Sequence, residues 1–407
     1  MPRTAARLAR VVATLLLPAS LLTATAMAAS PARADGPGSG TPYVVTLGDS
    51  YIAGEAGRWA GNSNDGESLI DAGGSAAYFD NAGHTAETIA RCHRSNADEV
   101  YLGGGVSGMN LACSGAKTAT FTNSSGYFKP GIDFYSSGSN QGQALMLQTF
   151  ATSHNVKAVT ISIGGNDFGF ADIVTDCVED FLLSSSLDPD YCKDDSAATS
   201  AMAAANVSAV RARIATAFQN VRTAMRNAGY ADTAWTLVVQ TYPSPIPASS
   251  AFRYKESGYT RQSTGGCGFW NADADYSNNT IVPTINGALT GAEADSGLTN
   301  VKTLNVTNAF VGRRLCENTV GLVEEEGLSS WRSAGAVDKT EWINQIRTVS
   351  TATTDYYIQE SIHPNYWGQL ALRNCLRQAY NGGSPRSGTC SHGTGLNSNG
   401  EPNMTLN

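Results

Sequence analysis

The chain has 407 residues, of which 42% are hydrophobic and 15% charged, and its net charge at pH 7 is −8. This length and apolar content allow a large buried core and exclude a disordered chain. The negative charge, with no dense basic run to offset it, argues against nucleic acid or an anionic membrane as a partner.

Residues 1–34 have the pattern of a secretory signal peptide. Three arginines without an acid precede the apolar run VVATLLLPASLLTATAMA, and small-residue cleavage sites follow at 26–28 and 32–34. The alternative is a membrane anchor, but Pro18 and Ser20 interrupt the run and no comparable segment recurs. We therefore expect a secreted, extracellular protein without stable membrane insertion. Its net charge becomes −12, since four arginines and no acid leave with the peptide.

Strands and helices alternate along the rest of the chain. Short segments rich in Val, Ile, Leu or Thr predict strands over 43–47, 106–112, 158–163, 235–240 and 301–306. Apolar residues at helical spacing predict helices over 141–154 and 198–227, and a third helix is predicted with Pro364 in its first turn. This alternation predicts an α/β fold with a central parallel sheet covered on both faces.

No internal repeat or low-complexity linker divides the chain, so we predict one domain over residues 35–380. Its loops at 55–80, 243–280 and 310–350 are longer than plain crossovers need. Residues 381–407 are rich in Gly, Ser and Asn, which predicts a tail held at Cys390 and otherwise loose.

Eight cysteines in an exported chain predict disulfides rather than a metal site. Eight cysteines permit 105 pairings. We predict the pairing of sequence neighbours, which closes four loops that do not cross: Cys92–Cys113, Cys177–Cys192, Cys267–Cys316 and Cys375–Cys390. The chain has no Cys-x-x-Cys pair, and nothing in it resembles a metal or cofactor site.

Small polar residues follow three of the predicted strands. They are Gly-Asp-Ser-Tyr at 48–51, Asn-Leu-Ala-Cys-Ser-Gly-Ala-Lys-Thr at 110–118 and Gly-Gly-Asn-Asp at 164–167. In a parallel sheet these endings lie on one edge and face one crevice. Acyl transfer needs a hydroxyl nucleophile and donors for the developing oxyanion. Ser50 fits the nucleophile, and the Ser50 and Gly115 amides with the Asn166 side chain fit the donors.

The base for such a reaction is predicted at His363. Of the five histidines, it alone stands at a predicted helix start, and Glu360 lies three residues before it. Each motif taken alone is more often a turn or a helix boundary. Only their combination, in this order, favours catalysis.

These blocks, GDSY, NLACSGAKT, IGGND at 163–167 and SIHPN at 361–365, resemble the signature blocks of the SGNH hydrolases, also called GDSL esterases and lipases. The segments ARCHRSNADEVY and GGNDFGFADIVTDC resemble the secreted actinomycete esterase and lipase branch. The resemblance spans about residues 43–380. It implies a flavodoxin-like three-layer α/β/α fold, Ser50 as nucleophile and His363 as base. It also implies an oxyanion hole from Ser50, Gly115 and Asn166, and three disulfides among Cys92, Cys113, Cys177, Cys192, Cys267 and Cys316.

The chain departs from the family pattern at one position. The family places Asp three residues before the histidine, where this chain has Glu360, and some members of the branch use a backbone carbonyl instead. Two hypotheses stay open for the group that orients His363: Glu360 or a carbonyl.

The sequence therefore predicts a secreted serine carboxylic-ester hydrolase that acts on small-molecule or lipid esters without a cofactor. The alternatives are a lipase, phospholipase or polysaccharide deacetylase of the same fold, and a non-catalytic binding protein on the hydrolase scaffold. Because the mature chain is acidic and exported, a monomer is the expected state.

Overall fold

The computed structural model describes residues 37–347 and 359–407. The predicted signal peptide at 1–34 lies outside the described residues. Within them, no helix is both long enough and apolar enough to cross a membrane.

A seven-stranded sheet forms the centre of the described part of the chain. Its strands are β1 (Pro42–Gly48), β2 (Ser107–Asn110), β3 (Asn155–Ser162), β4 (Thr236–Gln240), β5 (Val301–Asn305), β6 (Gly388–Leu396) and β7 (Pro402–Leu406). Across the sheet the order is β7-β6-β5-β4-β3-β1-β2. All neighbours pair in parallel except β6 and β7, which are antiparallel. The predicted α/β fold with a central parallel sheet is confirmed.

Helices flank the sheet. The main ones are α1 (Ser50–Ala53), α2 (Gln143–Ala151), α3 (Phe170–Leu183), α4 (Ser196–Ala201), α5 (Ala204–Asn227), α6 (Val282–Ser296) and α7 (Tyr366–Tyr380). Shorter helices lie at Thr260–Ser263, Asn271–Tyr276 and Ala336–Lys339. Helix α5 packs between α2 and α6 in one layer, whereas α7 packs against β5, β6 and β7.

Burial on both faces explains the apolar strands. Val44, Val45 and Leu47 of β1 and Val159 and Ile161 of β3 have no exposed surface. A parallel strand covered on both sides reads as a continuous apolar run, and this is the pattern that predicted these strands.

Of the helices longer than ten residues, the sequence analysis missed two, and it joined α4 and α5 into one. Helices α3 and α6 fall in segments where no helix was predicted. The helix predicted over 198–227 is two helices, because Ala203 adopts an extended backbone between α4 and α5. In α3, the residues Phe170, Val174, Val178 and Leu182 recur at four-residue spacing, a signal from which that helix was predictable.

The prediction of a loose tail over 381–407 is wrong. Strand β6 pairs with β5, and β7 completes the edge of the sheet. Cys390 is buried and bonded to Cys375 of α7, while Asn374 of the same helix donates to the carbonyl of Pro402 at 2.8 Å. Backbone pairing and a packed helix order a segment whose Gly, Ser and Asn composition is typical of a flexible tail.

All four disulfides join the predicted partners: Cys92–Cys113, Cys177–Cys192, Cys267–Cys316 and Cys375–Cys390. The first of them ties the segment after β2 to the loop before it.

Strand β1 lies between β2 and β3 in the sheet. The chain runs from β1 to β2 on one side and then crosses to β3 on the other side of β1. Open α/β sheets bind ligands at such a switch point, beyond the carboxyl ends of the strands. The three polar segments singled out in the sequence follow β1, β2 and β3, and the fold therefore brings them to one edge.

Candidate active site

Ser50 lies in a turn that a glycine and an aspartate shape. Gly48 ends β1 with φ of +138°, and Gln143 holds both its N–H (2.7 Å) and its carbonyl oxygen (2.9 Å). Asp49 then caps α1, since its carboxylate accepts the Tyr51 N–H at 3.2 Å. Ser50 is the first residue of that four-residue helix, and it is 7% exposed.

The imidazole of His363 contacts the hydroxyl of Ser50. Its Nε2 lies 2.7 Å from Ser50 Oγ, and its Nδ1 lies 2.8 Å from the carbonyl oxygen of Ser361. A carbonyl oxygen only accepts hydrogen bonds, so Nδ1 carries the proton and donates a hydrogen bond to the Ser361 oxygen. Nε2 is then unprotonated and accepts the Ser50 hydroxyl, which is the tautomer that a general base requires.

Glu360 does not orient His363, and the hypothesis that its carboxylate does so is wrong. Its two carboxylate oxygens accept hydrogen bonds from Trp59 Nε1 (2.7 Å) and from the hydroxyl of Tyr78. The side chain is buried, and burial raises its pKa to about 7. Of the two hypotheses that the sequence left open, the geometry favours the backbone carbonyl, which belongs to Ser361.

A strained residue aims that carbonyl. Ile362 has φ of +60°, a conformation that is rare for a β-branched side chain. Its N–H donates to Asn344 O at 3.0 Å, and its own carbonyl accepts the Tyr51 hydroxyl at 2.8 Å. The Asn344 N–H in turn donates to His363 O at 2.9 Å. Backbone strain of this kind persists where neighbouring contacts over-determine it.

Helix α7 begins two residues later than the sequence indicated. Pro364 was placed in its first turn, but the helix starts at Tyr366 with Asn365 as N-cap. The Asn365 side chain accepts the N–H groups of Trp367 (3.1 Å) and Gly368 (3.3 Å), which fixes the helix start. His363 still precedes the helix, as predicted.

Gly115 and Asn166 line the same cavity as Ser50 and His363. Gly115 has φ of +77°. One N–H of the Asn166 amide donates to Ala116 O at 3.0 Å, which leaves its second N–H for another acceptor. Asp167 holds the two segments together, since its carboxylate accepts the Thr118 N–H at 2.9 Å.

Burial shifts the pKa values of groups around the nucleophile. It lowers the pKa of His363 and so favours the neutral imidazole. It also raises the pKa of Asp49 to about 7. Asp49 accepts the hydroxyl of Tyr242, which itself accepts the Gly165 N–H at 3.1 Å. Asp49 therefore fixes the turn by hydrogen bonding.

Sequence reasoning missed two residues of this framework. Tyr242 follows β4 at the same sheet edge as the three predicted segments, so the strand-end pattern that identified those segments also points to it. Gln143 begins α2 and is fully buried against Gly48. No local pattern distinguishes a glutamine that binds a distant backbone from one that faces solvent.

An apolar groove leads away from Ser50 along α3. The cavity measures about 840 Å³, and one face of α3 lines it: Phe170, Val174, Val178 and Leu182. These residues are four apart and therefore lie on one side of the helix. Ile346 and Ile362 line it as well. On the other side of Ser50, a space of about 30 Å³ reaches Tyr242 and Ile285, which is room for little more than a water.

Three buried ligating side chains lie beside the site. Single ligand atoms of Glu55, His93 and Glu360 fall within 4.8 Å of one another. Each carboxylate oxygen already accepts a protein hydrogen bond: those of Glu55 from His93 and Gln359, and those of Glu360 from Tyr78 and Trp59. The donor set is thus occupied by a hydrogen-bonded network, and we assign no metal to it.

Comparison with known proteins points to lipases. The chain is 32% identical to Lipase 1 of Streptomyces coelicolor over 159 residues, which is 38% of this chain and 39% of that protein. The chain thus matches well under half the length of this curated relative. Among solved structures, an extracellular lipase from Streptomyces rimosus is 21% identical, with a TM-score of 0.40 over 84% of this chain and 100% of that one. Phospholipase A1 from Streptomyces albidoflavus NA297 is 21% identical, with a TM-score of 0.46 over 85% and 99%.

No family model matches the chain. The match to Lipase 1 confirms the resemblance to lipases that the sequence blocks indicated.

Proposed function

We propose that this protein is a secreted serine carboxylic-ester hydrolase of the SGNH type. The observation that carries the proposal is the contact of His363 Nε2 with Ser50 Oγ at 2.7 Å, with Nδ1 held by the Ser361 carbonyl. That arrangement fits a nucleophile, a base and an orienting group, which acyl transfer needs together with donors for the oxyanion.

In the first half-reaction, Ser50 Oγ attacks the ester carbonyl carbon while His363 Nε2 takes the hydroxyl proton. The Ser50 and Gly115 N–H groups and the free Asn166 N–H donate to the oxygen that becomes negative. His363 returns its proton to the leaving alcohol as the C–O bond breaks, which leaves an acyl group on Ser50. Water then attacks this ester with the same base, and the acid leaves with Ser50 restored.

The groove favours a lipid-like acyl chain over a short one, and lipase or phospholipase activity is therefore the second candidate. Phe170 and Val174 begin an apolar wall beside Ser50 that continues for three turns of α3. Each buried CH₂ contributes about 0.8 kcal/mol, so a long chain gains binding energy there that an acetyl group does not. A polysaccharide deacetylase removes only an acetyl group, which is too short to use this wall, and this disfavours that alternative.

Export is part of the proposal. Four disulfides suit an oxidising compartment, and the signal-peptide pattern of residues 1–34 supplies the route. We propose that the mature protein acts as a monomer on ester substrates outside the cell.

The test is an ester panel with the purified mature protein and its Ser50→Ala variant. We expect the wild type to hydrolyse p-nitrophenyl esters of graded acyl length, and Ser50→Ala to lose turnover by at least about a thousandfold. A fluorophosphonate should label the wild type at Ser50 alone. Turnover retained by Ser50→Ala, or labelling elsewhere, would exclude the assignment.

A further inference from the structure

Glu55 is a buried carboxylate that lies among the segments that carry Ser50, Gly115 and His363. The Glu55 N–H donates to Ser50 O at 3.2 Å, so Glu55 lies directly after the turn that carries the nucleophile. Its side chain is fully buried. One carboxylate oxygen lies 2.5 Å from His93 Nδ1, and the other accepts from Gln359 Nε2 at 3.0 Å.

Gln359 extends this contact to the two other catalytic segments. The same Nε2 lies 3.0 Å from Ser114 Oγ, and Ser114 immediately precedes Gly115. Gln359 also stands four residues before His363. Glu55 thus contacts the nucleophile segment through its own N–H, and through the Gln359 amide it reaches the oxyanion segment and the segment of the base.

The charge of Glu55 matters because His363 has only a neutral carbonyl at Nδ1. When Ser50 gives up its proton, no acidic side chain within residues 37–347 and 359–407 is hydrogen-bonded to the imidazolium that forms. Burial lowers the pKa of His363; Glu55 raises it and His93 lowers it. Although burial alone raises the pKa of Glu55, His93 and His363 together hold it below its ordinary value. Glu55 is therefore ionised, whereas burial raises the pKa of Glu360 to about 7.

We propose that Glu55 is a positioning residue that joins the three catalytic segments through Gln359 and places a buried negative charge near protonated His363. This role rests on the proposed esterase function. In a triad, the acid both orients the imidazole and stabilises the imidazolium. In this proposal the Ser361 carbonyl orients the ring, and the charge of Glu55, rather than that of Glu360, stabilises the imidazolium.

Other charges face the same cluster. Within the described part of the chain, the titratable groups around Glu55 include His93, His363, Glu87, Glu360, Tyr78 and Lys129. Glu87 lies 3.4 Å from His93 Nε2, so His93 keeps an acidic neighbour when Glu55 is neutralised. Glu55 raises the pKa of His363, whereas His93 lowers it.

The first variant is Glu55→Gln, which removes the charge and keeps the size. Neutral His363 is required for attack, and loss of a nearby negative charge lowers its pKa further. We expect the acidic limb of kcat/KM to move down by at least about half a pH unit, and plateau kcat to fall about tenfold. KM should stay unchanged, because Glu55 does not line the groove.

The second variant is His93→Gln, which removes the positive charge and retains a donor for Glu55. Here the acidic limb should move to higher pH, by a similar amount, because His93 lowers the pKa of His363. Opposite shifts from two side chains in contact do not arise from general loss of stability. Glu360→Gln is the matched control, and its shift should be smaller than that of Glu55→Gln.

For each variant, a melting curve and fluorophosphonate labelling of Ser50 are measured together with the pH profile of kcat/KM. Shifts of the same sign, or unmoved limbs, in variants that melt like the wild type overturn the role of Glu55. If Glu55→Gln does not fold, His93→Gln decides alone: an upward shift supports the inference and an unmoved limb overturns it. A wild type that neither hydrolyses esters nor reacts at Ser50 refutes the esterase function itself.

Discussion

Gly48 and Ile362 shape the site because both have positive φ values, which most residues do not adopt. Gly48 turns the chain from β1 into the nucleophile helix with φ of +138°. Ile362 aims the Ser361 carbonyl at His363 with φ of +60°. The glycine meets its conformation without steric cost, whereas the isoleucine is held there by Tyr51 and Asn344.

We expect Gly48→Ala to destabilise the protein by about 3 kcal/mol or more. A Cβ at this position lies 1.9 Å from Ser162 O and 2.7 Å from Ile52 Cγ2, so backbone has to shift. Gly103→Ala is the matched control: its φ is also positive, at +70°, but nothing lies within 4 Å of the added atom. It should cost only about 1–2 kcal/mol. Equal losses in urea-unfolding free energy would contradict the steric explanation.

At the scale of elements, α3 supplies the apolar wall from which we infer a preference for long acyl chains. Its stripe of four apolar residues forms one wall of the groove, and Leu182, at the far end, is 41% exposed. The disulfide Cys177–Cys192 anchors the same helix on its buried side. A single helix thus links the nucleophile to the outer surface.

Val174→Trp should shorten the preferred acyl chain. The larger side chain fills the groove beyond the first turn, so esters of twelve or more carbons lose CH₂ burial while butyrate does not. We expect the ratio of kcat/KM for long over short p-nitrophenyl esters to fall at least about tenfold. Asp172→Trp, which is exposed and outside the groove lining, is the control and should leave the ratio unchanged. A ratio that does not move in Val174→Trp would place the acyl chain elsewhere.

For the molecule as a whole, buried carboxyl groups set the pH dependence of stability. Burial raises the pKa of Asp49, Asp98 and Glu360 to about 7 each. In the unfolded chain these groups titrate near pH 4. Between these values the folded state binds more protons than the unfolded state, so the free energy of unfolding decreases as pH rises.

We therefore expect Tm to fall from pH 5 to pH 7 and to level off above that. His363 acts in the opposite direction, because burial lowers its pKa, whereas Asp273, whose pKa burial raises to about 6, acts in the same direction as the three carboxyls. Asp98→Asn imitates the protonated form and should reduce the slope of Tm against pH. A Tm that rises across this range, measured calorimetrically, would show that these carboxyls are hydrated in the folded protein.

The sequence alone was sufficient to predict the α/β architecture, the disulfide pairs and the contact of Ser50 with His363. Each depends on local chemistry: apolar runs for buried strands, cysteines that are neighbours in the chain, and polar residues placed directly after strands. The parallel topology then brings those strand ends together, whatever the intervening loops do.

The other features of the site and fold were decided by the tertiary structure, because these features depend on contacts between segments far apart in the chain. Glu360 stands where the resemblance to SGNH hydrolases predicts an acid, yet its carboxylate accepts hydrogen bonds from Trp59 and Tyr78, about 300 positions away. Gln143 binds Gly48 across 95 positions, and the Gly-rich C-terminal segment becomes two strands because β5 offers it an edge. Composition and spacing describe a residue's neighbours along the chain, whereas burial and hydrogen bonding are set by its neighbours in space.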